Sequence, residues 1–200
     1  MIQPQAGIAN NHAATRIIDP FAEQVVAKPA MLAADAVGQT GERNVSRSTH
    51  RTRLMAIIKK GVAGVLERAA IAAGTALALA CDLLIAGDNA RFHVAEVGMG
   101  MAAPLNTVWL ELKFGVAKAI EFAAAGQPYS GRELAARGIA LRSFPDDRVV
   151  EEARAYADLL AKNQPAAVAA VKQTIRRLCG VEEFRERVRR AQATRRETTG

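Results

Sequence analysis

Cysteine is nearly absent from this chain of 200 residues: Cys81 and Cys179 stand far apart and share no ligand spacing. That excludes a disulfide framework and points to a reduced, cytoplasmic setting. His12, His50 and His93 make no metal constellation with the cysteines, so no metal is expected. Aromatic residues are only 4%, too few for a surface that stacks nucleic-acid bases. Long apolar runs are missing too. The most apolar stretch, Ala76 to Cys81, stops at Asp82 and resumes only from Leu83 to Gly87, far short of the roughly 18 residues of a membrane span. No charged leader and apolar stretch follow Met1, so no signal peptide is expected. There is no P-loop, no Gly-x-Ser-x-Gly elbow and no His-Glu-x-x-His helix.

The composition that remains, 50% hydrophobic and 24% charged, is that of one globular domain with a real core. Alanine-rich segments favour helices built from small residues. A net charge of +7 favours anionic partners: nucleic acid, an anionic membrane or a phosphate-bearing cofactor. The C-terminal arginines, however, alternate with acids. Glu183–Arg187 and Glu186–Arg190 are i,i+4 pairs, and Val181, Phe184 and Val188 form an apolar stripe. This is an amphipathic helix with a solvated basic face, and it argues against nucleic-acid binding.

Residues 1 to about 60 lack clear periodicity. Phe21 to Ala34 is weakly amphipathic but broken by Pro29, and Gln39 to Arg51 is polar and reads as loop. From Ile57 the pattern is firm. Gly61–Leu66 reads as a strand, Ala76–Cys81 as a helix, and Asp82–Gly87 as a buried strand ending in a turn. Arg91–Val97 reads as extended, and Pro104–Phe114 and Ala117–Ala125 as helices broken near Gly115. Ser130-Gly-Arg-Glu133 is a capping box opening a helix that stops at Gly138. Ile139–Leu141 reads as a small strand, and Phe144-Pro-Asp-Asp as a turn capping the next helix. Pro165 fits the first turn of a further helix, whose Val168, Val171, Ile175 and Leu178 share one face before Gly180 ends it.

Three places could carry chemistry. If Arg91–Glu96 is extended, Phe92, Val94 and Glu96 share one face, so Glu96 points toward a core or cleft. Burial there favours the neutral carboxyl, which suits a group that must take and return a proton near neutral pH. The structural alternative is a strand-end glutamate turned to solvent or paired with Arg91. Gly98, Gly100 and Ala103 satisfy G-x-G-x-x-A, but the later strand ending in an acidic residue is missing, because helix continues through Glu121. The bland account is that these glycines let backbone pack closely beside a helix start. Ala72-Ala-Gly-Thr75 lies between a strand and a helix, where unpaired N–H groups can hold an anion or a developing oxyanion, or where small residues simply allow tight packing. His93 falls on the face opposite Glu96 and reads as a surface or satisfied histidine. Trp109 reads as core or subunit interface, and Cys81 as an inert packed thiol.

From Ala70 to Arg177 the chain resembles the crotonase superfamily, the enoyl-CoA hydratase/isomerase family, almost continuously. The carrying motifs are Ala-Ile-Ala-Ala-Gly-Thr-Ala-Leu-Ala-Leu-Ala-Cys-Asp-Leu-Leu-Ile-Ala and Ala90-Arg-Phe-His-Val-Ala-Glu-Val-Gly-Met-Gly-Met. Gly126-Gln-Pro-Tyr-Ser-Gly-Arg-Glu-Leu-Ala-Ala-Arg-Gly and Pro165-Ala-Ala-Val-Ala-Ala-Val-Lys complete them. The resemblance implies an α/β fold: a crotonase-like spiral of strand-strand-helix units, with an acyl-CoA-binding core over 1–140, shortened at its N-terminal part. A helical C-terminal oligomerisation region over 141–200 would build a homotrimer or a dimer of trimers. It implies an acyl-CoA thioester as partner, with coenzyme A arriving as part of the substrate rather than as a cofactor.

It also implies roles. The backbone of Ala73 falls on one oxyanion donor, and Ala72 replaces what is usually glycine. Thr49, in the stretch Thr40–Thr49, is the nearest counterpart of the other donor. Glu96 falls on a general acid/base position, while the position of the family's first glutamate falls on Ala76. Ala70, Gly74 and Met99 fall on substrate-binding positions. With one carboxyl, moving a double bond is easier to support than adding water. The alternative is a truncated, catalytically silent paralogue that acts as a non-enzymatic oligomerising protein.

Overall fold

The computed structural model describes residues 15–18 and 63–198. Among the described residues seven strands form two sheets. Strand β1 (Thr15–Ile18) runs antiparallel to β2 (Ala63–Leu66), with Thr15 opposite Leu66 and Ile18 opposite Ala63. Strands β4 (Leu83–Gly87) and β7 (Arg142–Phe144) continue this sheet in parallel, giving the order β1-β2-β4-β7. The second sheet has the order β3-β5-β6, from β3 (Ala69–Ile71), β5 (Arg91–His93) and β6 (Pro128–Ser130). The chain thus turns a corner after β2 and again after β4, passing from the first sheet to the second each time. The Arg91 N–H donates to the Arg68 carbonyl at 2.6 Å and stacks one corner on the other.

Helices follow each pair of strands: α1 (Ala73–Ala80) after β3, and α2 (Pro104–Phe114) with α3 (Val116–Ala124) after β5. This is the expected spiral of strand-strand-helix units. Every residue of β2 is buried, as befits a strand covered on both faces, which reads as a continuous apolar run rather than an alternating one. Phe92, Phe122, Leu79, Leu110 and Leu134 are fully buried at the centre. The Phe92 and Phe122 rings meet edge to face at 6.1 Å, and Phe122 packs on Tyr129 at 4.3 Å.

Ser130 and Glu133 form the expected capping box at α4 (Gly131–Ala136): Glu133 N–H donates to Ser130 Oγ at 3.3 Å, and Ser130 N–H to the Glu133 carboxylate at 2.7 Å. A side chain at Gly131 would stand 1.9 Å from the Gly87 carbonyl oxygen, so only glycine lets α4 close onto the end of β4. The small strand lies at Arg142–Phe144, not at Ile139–Leu141. The N–H groups of Ile139 and Ala140 both donate to the Leu134 carbonyl, at 2.9 and 3.1 Å. They close the helix and have nothing left for a ladder. The turn before α5 (Val149–Ala161) supplies no side-chain cap. Asp146 instead accepts from the Asn89 backbone N–H and side-chain amide, at 3.0 Å each, and ties that turn to the exit of β4.

Pro165 opens α6 (Pro165–Leu178), and a left-handed Gly180 at φ 67° follows it. The expected apolar face of α6 is present but uncovered: the helix has no buried residue, and Val171, Ile175 and Leu178 are 60%, 53% and 82% exposed. The last helix, α7 (Phe184–Thr198), packs back on α2. Phe184 stacks on Trp109 at 4.2 Å and Arg187 pairs with Glu111 at 2.7 Å. Trp109 is therefore core within the chain. The strand β7 and helices α5 to α7 make up the C-terminal region that follows residue 141. No helix among the described residues is long and apolar enough to cross a membrane. The Phe21–Ala34 segment lies outside the described residues.

Candidate active site

Parallel pairing of β3 and β5 puts Ile71 beside His93. Whatever follows each strand therefore emerges at the same edge of the sheet. After β3 comes the start of α1, and after β5 comes Glu96. The two expected parts of the site are brought together by register alone.

Ala72 makes the turn into α1. Its N–H donates to the His93 carbonyl at 2.9 Å, extending the ladder by one bond. Its backbone then adopts φ 51°, ψ −116°, a left-sided conformation that glycine takes freely and alanine does not. Its carbonyl receives the Thr75 N–H at 3.0 Å, the Thr75 hydroxyl and the Asn106 side-chain amide at 3.2 Å. Those contacts hold the turn. Ala73, exposed at the first position of α1, has a backbone N–H with no partner inside the helix. The far end of α1 is fixed by Lys113, whose ammonium donates to the carbonyls of Leu79, at 3.0 Å, and Cys81. A cation at a helix C-terminus satisfies orphan carbonyls and complements the helix dipole.

Glu96 does not sit on a strand. Extension ends at Ala95, at φ −85°, ψ −10°, and Glu96 opens a short 3-10 turn, Glu96–Met99. Phe92 and Val94 are buried as expected, while Glu96 is half-buried. The Glu96 carbonyl accepts from Met101 N–H at 2.9 Å, and Gly100 closes the turn at φ 68°. That left-handed exit is why glycine stands there. Side chains built at Gly98 and Gly100 would meet nothing within 4 Å, so close packing is not their reason. Close packing occurs across the turn, at Gly126, where a side chain would stand 2.5 Å from Val97.

The carboxylate has two unlike oxygens. Oε1 accepts from the Asn106 amide at 3.0 Å. Oε2 is buried and has no hydrogen-bond partner among the described residues. Burial pushes the Glu96 carboxyl up from its ordinary range, against a backbone hydrogen bond, the Asn106 amide and the charge of His93, which all pull it down. His93 is a satisfied histidine: its Nε2 lies 2.9 Å from the Gly126 carbonyl oxygen.

Sequence patterns missed Asn106 and gave the Thr75 side chain no role. Among the described residues these are the two fully buried polar side chains, 0% and 1% exposed, and both belong to this site. Thr75 Oγ1 lies 2.9 Å from Asn106 Oδ1. The available signal was an asparagine set between Leu105 and Val108-Trp109-Leu110, where helix propensity disfavours it.

Other expected positions are placed as follows. Ala70 is fully buried beneath the turn, Gly74 lies in the first turn of α1 with the Ala70 methyl beneath it, and Met99 is 56% exposed on the Glu96 turn. Ile71 and Val97, 40% and 42% exposed, add apolar surface on either side. Ala76 is buried in α1. Thr49 and the stretch from Thr40 lie outside the described residues. Cys81 is fully buried, with its thiol pushed up to about 12 by burial, as suits an inert packed cysteine. Among the described residues no three His, Cys, Asp or Glu side chains group as they would around a metal.

Comparison with known proteins gives a consistent result. The enoyl-CoA hydratase/isomerase family model matches residues 33–198. A putative enoyl-CoA hydratase of Thermus thermophilus is 36% identical over 112 residues, 56% of this chain and 44% of that protein. The 2,3-dehydroadipyl-CoA hydratase of Escherichia coli is 33% identical over 134 residues, 66% of this chain and 52% of that protein. Among solved structures, an enoyl-CoA hydratase/isomerase from Pseudoalteromonas atlantica superposes with a TM-score of 0.62 at 28% identity, covering 82% of this chain and 64% of that one. The chain spans about half the length of the curated relatives it matches.

Proposed function

The chain belongs to the enoyl-CoA hydratase/isomerase family, and we propose that it is an acyl-CoA enzyme in which Glu96 carries a proton while the Ala73 N–H steadies the thioester oxygen. The observation that carries this reading is the Glu96 carboxylate itself. One oxygen is held by an amide, the other is buried and unpartnered, and the pair sits beside a helix start with an unpaired N–H.

The chemistry follows from the groups. Ionised Oε2 removes a proton from a carbon of the acyl chain conjugated with the thioester carbonyl. The electron pair moves onto the thioester oxygen, where a backbone donor stabilises the developing charge. Returning the same proton from Oε2 to another carbon shifts the double bond and adds nothing. A single carboxyl is sufficient for this, whereas hydration also requires an activated water. Ala76, standing where the family's first glutamate falls, cannot supply a second carboxyl. Isomerisation is therefore the favoured direction, in the cytoplasm and with no cofactor beyond the coenzyme A of the substrate. Thr49 is the proposed second donor. Met99, with Ile71 and Val97 beside it, offers apolar surface for the acyl chain.

Thermal-shift titration with CoA, acetyl-CoA and crotonyl-CoA tests the reading. A rise in Tm with acyl-CoA concentration is expected, since a ligand held only by the folded state stabilises it by mass action. No rise at high concentration of any of the three would sink the acyl-CoA proposal. A rise with crotonyl-CoA in the absence of turnover would favour the alternative, a non-enzymatic oligomerising paralogue.

The uncovered face of α6 supports assembly of copies into a trimer or a dimer of trimers. Three large apolar side chains at helical spacing, each more than half exposed, form a contiguous stripe of the kind that marks an interface. Replacing Ile175 and Leu178 by glutamate is expected to convert the oligomer to monomer in light scattering. A wild-type chain that is monomeric at all concentrations would refute this assembly.

A further inference from the structure

We infer that Asn106 is a positioning residue that locks the Glu96 carboxylate and the Ala73 turn to one another and reserves Glu96 Oε2 for the proton. The inference rests on the reading of Glu96 as the proton carrier and deepens it.

Asn106 lies in the first turn of α2, a different element from either part it touches. Its amide has two N–H donors and one carbonyl acceptor. One N–H goes to Glu96 Oε1 at 3.0 Å and the other to the Ala72 carbonyl at 3.2 Å. The carbonyl faces the Thr75 hydroxyl at 2.9 Å. Both N–H groups are paired, and the carbonyl shares the single Thr75 hydroxyl proton with the Ala72 carbonyl, so no part of the buried amide is without a partner. Its orientation is also determined. Exchanging nitrogen and oxygen would set a carbonyl against two acceptors, the Ala72 oxygen and the carboxylate. A buried, correctly oriented donor holds Oε1 in place and favours the ionised carboxylate. Oε1 is thereby engaged, and Oε2 is left as the oxygen that exchanges a proton.

The same amide nitrogen anchors the carbonyl of Ala72, the residue whose backbone conformation aims the Ala73 N–H. A movement of Glu96 relative to that N–H must break one of the two bonds. Asn106 thus sets the distance between proton carrier and oxyanion donor without touching substrate.

A purely structural role, bracing the turn, would leave the titration of Glu96 unchanged, so that titration is the test. The carboxyl is followed by carbon NMR of glutamate-labelled protein, with the Glu96 signal assigned from its loss in Glu96→Gln. The titratable neighbour is His93 on β5, whose charge favours the carboxylate and which is retained in every variant. From α2 the group on the carboxylate is the neutral Asn106, and from α1 the neutral Thr75 stands against Asn106. Asn106→Ala is expected to move the Glu96 midpoint upward, because a donor to the charged form is lost. With a turned-over acyl-CoA, kcat should fall by about 10²-fold, the cost of a small misplacement of reacting groups. An unmoved Glu96 midpoint in folded Asn106→Ala overturns the proposal. Should that variant not fold, Thr75→Val carries the test. It frees the amide carbonyl, and a smaller upward shift is expected, while no shift overturns the proposal. The titration needs no substrate, so failure of the acyl-CoA reading and failure of this one are separately visible.

Discussion

Glu96→Gln is expected to lower turnover of an acyl-CoA substrate by about 10²- to 10⁴-fold, the usual contribution of a positioned acid/base, while leaving the protein at least as stable at neutral pH. Gln keeps a carbonyl oxygen for the Asn106 amide and puts a neutral NH2 in place of Oε2, which cannot take and return a proton. The stability half of the expectation follows from burial. The folded carboxyl titrates above its ordinary value, chiefly because burial disfavours the charge. A raised carboxyl contributes stability that is fully present below its unfolded value and is lost as pH rises through the folded one. Above its folded midpoint the wild-type chain carries an ionised glutamate in a place that disfavours it, and the neutral amide removes that burden. The wild-type stability should accordingly fall across the window above the ordinary glutamate range, and the Gln variant should lose that component. Denaturant unfolding at pH 4 to 8 and an acyl-CoA turnover assay check both halves. Unchanged turnover in Glu96→Gln would remove Glu96 from the chemistry.

The second large effect is expected at Ala73. Proline at the first position of a helix is tolerated, because the N–H it lacks has no helical partner there. It therefore deletes the proposed oxyanion donor and little else. The residue before a proline is itself restricted, and Ala72 already stands at φ 51°. The comparison is best made on Ala72→Gly, which is expected to raise stability by about 1 kcal/mol by relieving an alanine held at positive φ. On that background Ala73→Pro should retain its helical circular dichroism and lose about 10² to 10³ in kcat, the usual value of one oxyanion donor. Turnover equal to that of Ala72→Gly alone would show that the donor lies elsewhere.

The site was legible in part. Glu96 and Ala73 were singled out because the motifs around them are continuous in sequence and carry a family resemblance. The supposed reason for the Glu96 position, an extended strand with Phe92 and Val94, was wrong in detail. The strand ends at His93 and a 3-10 turn carries the glutamate, since a left-handed Gly100 lets the chain close on itself. Gly98 and Gly100 read as packing positions but face open space. The capping box at Ser130 and the proline start at Pro165 were read correctly, because each is completed within one helical turn. The Ile139–Leu141 strand was misplaced, because the Ile139 and Ala140 N–H groups are spent on closing α4 and pairing with β4 starts only at the Leu141 N–H.

The amino-acid order by itself determined the family, the alternation of short apolar strands with alanine-rich helices, and the identity of the carboxyl that could carry a proton. Those properties rest on local periodicity and on contiguous motifs. The tertiary structure alone decided what surrounds that carboxyl. Parallel register between β3 and β5 set Glu96 beside the Ala72 turn, and packing of α2 across the start of α1 delivered Asn106 to both. A buried amide finds partners far away in sequence, and no local pattern encodes which of Glu96's two oxygens it will take. That choice is made by the fold, and it is what separates a half-buried glutamate from one with a single oxygen left for a proton.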